Sequence, residues 1–139
     1  IAKALPLLGN TFWVVSGDVF LPGFAFDPAT AQRFGQGDLL GHLWLVPNAP
    51  HHPRGDFGID AHQRAVADAD PRFTWASVGL FKPALFDGIA PGTRLPLRPL
   101  LDRAIAQRRL GAEHWPGSWT DVGTAERLAA LNRDFSLRA

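Results

Sequence analysis

The chain has 139 residues, of which 46% are hydrophobic, and its formal net charge at neutral pH is +1. This length suits one domain, and a hydrophobic fraction that includes five Trp and ten Phe supports a packed core and argues against disorder. The near-neutral charge leaves no broad basic field for nucleic acid, and no apolar run reaches the roughly 20 residues that a membrane helix needs. We therefore expect neither nucleic acid nor a membrane among its partners.

The absence of cysteine removes disulfides and thiolate metal sites and fits a reducing, cytoplasmic compartment. Methionine is absent as well, and the chain opens at Ile1 in a pattern typical of the middle of a helix. We expect residues 1–139 to be the C-terminal portion of a single domain whose first part lies upstream.

The first third of the chain predicts a helix end, a strand, a helix and a second strand. Residues 1–8 form the helix end, and the run Phe-Trp-Val-Val within residues 11–18 predicts a strand that is buried on both faces. The pair Asp27-Pro28 is typical of a helix cap followed by the first helical residue, and that helix is expected to reach about residue 34. Residues 39–46 predict another buried strand.

The rest of the chain continues the alternation after an irregular middle section. The pattern predicts a hairpin around residues 57–66, a strand over 73–81, a helix over 97–109, a strand over 110–115 and a last helix over 125–135 capped by Thr124. Strands that alternate with helices predict an α/β fold with a mixed, mostly parallel sheet covered on both faces.

Two carboxylates follow strand patterns near opposite ends of the chain, Asp18 after Gly17 and Asp121 two residues before Gly123. In open α/β sheets ligands bind at the carboxyl ends of strands, so the two aspartates could meet in one crevice. Such a pair suits Mg²⁺, which takes oxygen ligands and usually keeps waters and substrate phosphates around it. Glycine beside each aspartate would let a substrate approach the backbone closely. The alternative is that Asp18 caps a loop and Asp121 caps a helix.

A second candidate is the loop of residues 51–56, His-His-Pro-Arg-Gly-Asp. Adjacent histidines in an extended segment point to opposite sides, and the other three histidines lie too far away in sequence to give a readable zinc spacing. We favour a loop that lines a substrate pocket, in which Arg54 binds a phosphate or carboxylate beside Gly55 and Asp56. A solvated turn is the alternative.

Two further pairs of residues have side chains suited to a binding site. Trp75 and Ser77 alternate along one predicted strand and could face a site together, with the indole stacked on a sugar or base or, alternatively, packed in the core. Glu113 and His114 are strand neighbours, so at most one of them faces a site. The chain has no Ser/His/Asp nucleophile arrangement, Walker loop or dinucleotide glycine fingerprint.

Five segments, in order, resemble the sugar-1-phosphate nucleotidyltransferase family, and the resemblance spans nearly the whole chain. They are residues 3–9 (Lys-Ala-Leu-Pro-Leu-Leu-Gly), 14–19 (Val-Val-Ser-Gly-Asp-Val), 51–57 (His-His-Pro-Arg-Gly-Asp-Phe), 73–79 (Phe-Thr-Trp-Ala-Ser-Val-Gly) and 119–128 (Trp-Thr-Asp-Val-Gly-Thr-Ala-Glu-Arg-Leu). The resemblance implies a three-layer α/β/α, Rossmann-like (GT-A-like) nucleotidyltransferase fold.

The resemblance also implies a reaction. Asp18 and Asp121 would hold Mg²⁺ between a nucleoside triphosphate and a sugar 1-phosphate, whose phosphate oxygen attacks the α-phosphate and expels pyrophosphate. The branch that the chain resembles most implies UTP as donor and N-acetylmuramate 1-phosphate as acceptor, in the recycling of peptidoglycan sugars. We expect a monomer or a weak homo-oligomer.

Three departures from the family pattern limit what the chain can do alone. The Gly-rich N-terminal signature that binds the triphosphate has no counterpart here, so we expect activity of the full-length protein only. Leu21-Pro22-Gly23 stands where relatives often have a second acidic residue, and Ser77 stands where they commonly have glycine, which would narrow the sugar pocket. Guanylyl, thymidylyl or cytidylyl transfer, and a non-catalytic nucleotide-sugar-binding subunit, are the alternatives.

Overall fold

The computed structural model describes residues 1–136. Within them a 3-10 helix (Ala2–Leu7) precedes the strands and helices, which follow in the order β1 Phe12–Val15, β2 Val19–Phe20, α1 Pro28–Gln36, β3 Gly41–Val46, β4 Gly58–Ile59, β5 Ala65–Val66, β6 Thr74–Phe81, a 3-10 helix Pro83–Phe86, α2 Arg98–Ala106, β7 Leu110–His114, β8 Thr120–Asp121 and α3 Ala125–Ser136. None of these helices is both long and apolar enough to cross a membrane.

The main sheet has the strand order β1-β6-β3-β7. Its helices and mixed pairing confirm the predicted α/β class, but the expectation that parallel pairs predominate is corrected. Only β3 and β7 run parallel, whereas β6 runs antiparallel to both β1 and β3. Antiparallel neighbours need no helical crossover, and the connection from β3 to β6 contains the β4–β5 hairpin instead of a helix.

Each face of the main sheet carries its own hydrophobic core and its own helix. On one face α2 contributes Leu100, Leu101 and Ala104 to a cluster with Leu43 and Phe81. On the other face Phe34 of α1 packs in a cluster with Trp44, Val78 and Leu80. Successive side chains of a strand point to opposite faces, so β3 and β6 supply both cores. The result is the three-layer α/β/α arrangement that the sequence predicts.

The strand predicted over residues 11–18 is shorter and less buried than its composition suggests. β1 ends at Val15 and, in the described sheet, has a hydrogen-bonded neighbour on one side only, which is β6. Phe12 is buried, but Val15 is 48% exposed. The prediction of burial on both faces is therefore wrong for this strand, because an edge position leaves part of an apolar run in contact with solvent.

Local signals elsewhere in the chain are confirmed. The Asp27 carboxylate accepts hydrogen bonds from the backbone N–H groups of Ala29 (3.1 Å) and Thr30 (2.9 Å), so it caps α1 as predicted. The hairpin forms with Gly58 opposite Val66, and the predicted strands at 39–46 and 73–81 contain β3 and β6.

Candidate functional site

A short two-stranded sheet joins the two ends of the chain. β2 pairs antiparallel with β8, with Val19 opposite Asp121, and the backbone N–H of Val122 donates to the carbonyl oxygen of Asp18 at 2.8 Å. A Cβ placed on Gly123 would lie 3.0 Å from Asp121 Oδ1 and 3.2 Å from Asp18 Oδ2. The structure thus brings the two predicted aspartates together around one glycine.

Three groups contact the Asp121 carboxylate: a backbone N–H, an imidazole and a guanidinium. Oδ1 accepts from the backbone N–H of Gly123 at 2.8 Å and lies 3.3 Å from the Arg127 guanidinium, while Oδ2 lies 3.1 Å from His51 Nε2. The Gly123 hydrogen bond first, and His51 and Arg127 after it, lower the pKa of Asp121 against the opposing effect of partial burial. Asp121 is therefore a fixed and ionised carboxylate.

Helix capping does not account for either aspartate. Thr124 Oγ1 accepts from the backbone N–H of Arg127 at 3.2 Å, so Thr124 caps α3, as predicted, and Asp121 does not. Asp18 is exposed, and within residues 1–136 its carboxylate has no hydrogen bond or ion pair. Its side chain remains available to a ligand.

The two carboxylates offer the kind of oxygen ligands that a hard cation takes. A Cβ at position 123 would lie between Asp18 Oδ2 and Asp121 Oδ1 and 3.3 Å from Arg127 Nη2, so glycine leaves room between the two carboxylates, beside the guanidinium. Carboxylate oxygens are the ligands that Mg²⁺ prefers, and one or two carboxylates usually suffice when substrate phosphates complete the shell. Across the described part of the chain no group of three or more His, Asp or Glu side chains is arranged to hold a metal.

The loop of residues 51–56 reaches the same region through its side chains. His52 Nε2 lies 3.1 Å from Asp56 Oδ1, and Asp56 Oδ2 accepts from the backbone N–H of Trp75 at 2.8 Å. The two adjacent histidines diverge, because His51 pairs with Asp121 and His52 with Asp56. Two carboxylates therefore tie this loop to β6 and to β8.

A bulge in β6 shapes the floor of the site. The register between β3 and β6 shifts here, and Ser77 has φ +60°, a left-handed conformation that favours glycine. The indole N–H of Trp119 donates to the carbonyl of Ala76 at 3.0 Å, and that of Trp75 donates to the carbonyl of Val78 at 2.8 Å. Because both carbonyls are satisfied, the bulge persists without leaving buried polar groups unpaired.

These segments enclose an open cavity of about 310 Å³, lined by Asp18, Val19, His51, His52, Asp56, Thr74, Trp75, Ser77, Trp119 and Asp121. The lining includes five of the predicted site residues, the three aspartates together with Trp75 and Ser77, and the two histidines of the predicted pocket loop. Gly17 and Gly123 adjoin the two aspartates along the chain. The arrangement offers carboxylates, imidazoles and an aromatic surface to one ligand.

Three other predicted residues lie elsewhere or have a structural role. Arg54 is exposed and Gly55 is buried, and neither lines the cavity. Glu113 projects from β7 towards β3, where its carboxylate lies 3.6 Å from His42 Nε2. The structure thus does not bring Glu113 to the cavity, because the parallel register sets it beside β3.

The His42–Glu113 pair predicts a pH-dependent contribution to stability. The His42 imidazole, 3.6 Å from the Glu113 carboxylate, lowers the pKa of Glu113 from its ordinary value of 4.5, so the stabilisation is present above that pH and is lost as the pH falls below it. Because the carboxylate is nearly half exposed, we expect Glu113→Gln to lower the free energy of unfolding at pH 7 by less than about 1 kcal/mol. Urea titrations of the full-length protein should show this difference shrinking towards pH 3.5, and a difference independent of pH would contradict the assignment.

Val19, Thr74 and Trp119 also line the cavity, and the sequence patterns did not single them out. Trp119 is two residues before Asp121, and residues two apart in a strand face the same side, so this spacing could have predicted that Trp119 faces the site. Val19 directly follows Asp18, and Thr74 precedes Trp75, but neither carries a chemical signal of its own. Their positions in the site depend on pairing between distant segments.

The fold of this chain matches that of a solved structure. A Bacillus anthracis structure described as a glucose-1-phosphate thymidylyltransferase, solved in complex with sucrose, matches 95% of this chain with a TM-score of 0.70 at 16% sequence identity. At that identity the match establishes the fold, and it confirms the Rossmann-like nucleotidyltransferase class. No protein-family model matches the chain.

A sequence relative makes the similarity more specific. The N-acetylmuramate alpha-1-phosphate uridylyltransferase of Neisseria meningitidis is 41% identical to this chain over an alignment of 133 residues, and the match covers 92% of this chain. The resemblance to the sugar-1-phosphate nucleotidyltransferase family is thereby confirmed. The chain spans 57% of the length of that relative and 57% of the matched structure.

Proposed function

We propose that the full-length protein containing this chain transfers a nucleotidyl group to a sugar 1-phosphate and releases pyrophosphate, with UTP as donor and N-acetylmuramate 1-phosphate as acceptor. The observation that carries the proposal is the convergence of Asp18 and Asp121 around Gly123 in a chain 41% identical to a protein named for that transfer. A role in recycling cell-wall sugars in the cytoplasm belongs to the same proposal.

Asp18 and Asp121 are the residues that would hold Mg²⁺. When bound, the ion would neutralise phosphate charge and align the reacting groups. The chain's own contribution is to fix the carboxylates: the β2–β8 pairing sets their spacing, and Gly123 and His51 orient Asp121. Preorganised groups of this kind need little rearrangement as the reaction proceeds.

The transfer needs no covalent enzyme intermediate. A phosphate oxygen of the sugar 1-phosphate forms a bond to the α-phosphorus of the triphosphate, and the bond from that phosphorus to the bridging oxygen breaks, so pyrophosphate leaves with both electrons. The cavity of about 310 Å³ is the proposed sugar-phosphate pocket, with the ring of Trp75 and the hydroxyl of Ser77 on its wall. Both groups suit a sugar, which offers apolar C–H faces and hydroxyls.

A pyrophosphate-release assay on the full-length protein tests the proposal. Each of UTP, GTP, CTP and dTTP is combined with N-acetylmuramate 1-phosphate or N-acetylglucosamine 1-phosphate, with Mg²⁺ or with excess EDTA. We expect release with UTP and N-acetylmuramate 1-phosphate to be fastest and to stop with EDTA. A faster reaction with another triphosphate would reassign the base. Binding of nucleotide sugars without any release would favour a non-catalytic binding subunit.

A further inference from the structure

A second cavity of about 370 Å³ lies beside the first, and its wall is more apolar. It shares His51, Trp119 and Asp121 with the first cavity, so the His51–Asp121 pair stands between the two. The rest of its wall is largely apolar, formed by prolines of the segment after β3 and by α3 residues such as Leu131. A ligand in the first cavity could therefore extend an apolar group into the second.

Arg127 is the cationic group in the wall of this second cavity. Its guanidinium lies 3.3 Å from Asp121 Oδ1, but that carboxylate already accepts from the Gly123 backbone and pairs with His51. A guanidinium has five N–H donors, and Asp121 engages only part of them. Arg127 Nε is buried with no hydrogen-bond partner among the described residues. The side chain as a whole is 33% exposed, so its terminal N–H groups, and not the buried Nε, can reach a ligand.

The opposing charges around Arg127 define where an anion could bind. Asp134 also lines the cavity, seven residues further along α3 and hence roughly 10 Å along the helix axis. It disfavours an anion at that end and leaves the Arg127 end as the favourable position. Asp121 lies close to Arg127 too, but Gly123 and His51 already bind its two oxygens.

We infer that Arg127 is a specificity-determining residue that binds a carboxylate on a short apolar side chain of the acceptor sugar phosphate, seated in the second cavity. The inference rests on the proposed function and deepens it. N-acetylmuramate differs from N-acetylglucosamine by a lactyl ether, which carries one methyl group and one carboxylate. An apolar wall with an arginine at one end matches that combination, because a guanidinium recognises a carboxylate with charge-assisted hydrogen bonds.

The test compares the two acceptors in Arg127→Gln. The quantity measured is the ratio of kcat/KM for N-acetylmuramate 1-phosphate to kcat/KM for N-acetylglucosamine 1-phosphate, at saturating UTP and Mg²⁺. Loss of a charge-assisted hydrogen bond predicts a fall of about 10- to 100-fold in this ratio. Arg127→Lys keeps the charge and should recover part of the ratio. Arg133→Gln removes an exposed arginine of the same helix and should leave the ratio unchanged.

The alternatives give distinct results. An equal loss with both acceptors in Arg127→Gln would mean that Arg127 only supports Asp121, and it would overturn the inference. A loss confined to the KM of UTP would overturn it as well, by assigning the arginine to the nucleotide.

The failure of the proposed function can be told apart from the failure of this inference. If the wild-type protein turns over neither acceptor, the proposed function fails. Calorimetric binding of the two sugar phosphates then decides the inference: a preference for the acidic sugar that disappears in Arg127→Gln supports it, and a preference that is unchanged overturns it. Circular dichroism melting of each variant checks that the fold is retained.

Discussion

Replacing Asp18 by Asn is expected to lower the kcat for pyrophosphate release by at least about 100-fold, and Asp121→Asn by a similar factor. Asparagine is nearly isosteric with aspartate but lacks the negative charge that a divalent cation requires. Asp18→Asn is the cleaner variant, since the Asp18 carboxylate has no hydrogen bond or ion pair within residues 1–136. Steady-state assays of the full-length protein at several Mg²⁺ concentrations measure the effect.

The matched control is Asp68→Asn, which changes an exposed aspartate that lines neither cavity. It should keep the wild-type kcat. All three variants should unfold in a single cooperative transition, as expected of folded proteins. Asp121→Asn also weakens the pairs with His51 and Arg127, so a modest loss of stability is expected for it alone. Wild-type rates in both site variants would show that these carboxylates do not hold the metal.

Gly55→Ala is expected to lower the free energy of unfolding by about 2–4 kcal/mol. Gly55 has φ +62°, and an added Cβ would lie 2.7 Å from Asn48 Oδ1, 2.8 Å from Phe73 N and 2.9 Å from Arg72 C. Two of these are backbone atoms, which cannot rotate away. The clash would displace the loop of residues 51–56 and with it the histidines that pair with Asp56 and Asp121. We therefore also expect a higher KM for the sugar phosphate.

Gly88→Ala serves as the control that separates the cost of a positive φ from the cost of steric overlap, the two causes of the stability loss expected for Gly55→Ala. Gly88 has φ +84° but nothing within 4 Å of an added Cβ, so it incurs the backbone strain without the overlap. Its expected cost is about 1–2 kcal/mol, with no change in KM. Chemical denaturation of both variants gives the comparison. If they lose equal stability, the close contacts around Gly55 contribute nothing. Gly55 thus supports the candidate site through the backbone rather than by touching a ligand.

Much of the fold could be predicted because its signals are local. The cap at Asp27, the hairpin around residues 57–66 and the helix capped by Thr124 depend on residues within a few positions of one another. The apolar run over residues 39–46 likewise indicated a buried strand, which is β3. The edge position of β1 could not be predicted this way, because an apolar run looks the same in a central strand and an edge strand.

The convergence of side chains at the candidate site could be predicted only where residue type and strand position coincided. Asp18 and Asp121 each follow a strand pattern, so their residue type and position together indicated a shared crevice. Glu113 looked equally reactive in sequence, but the register of β7 against β3 directs it to His42. The period-two alternation of a strand predicts which residues share a face of the sheet, but it does not predict which neighbouring strand those residues contact.

The α/β class, the candidate pair of aspartates and the family resemblance could all be inferred from the amino-acid sequence, because composition, periodicity and ordered motifs are properties of the chain alone. Three features became visible in the folded chain alone: two of the three pairings in the main sheet are antiparallel, His51 and Arg127 contact Asp121, and a second cavity adjoins the first. These features arise between segments far apart in sequence. They depend on the pairing of β2 with β8 and on the path of the loop after β3, which no local pattern encodes.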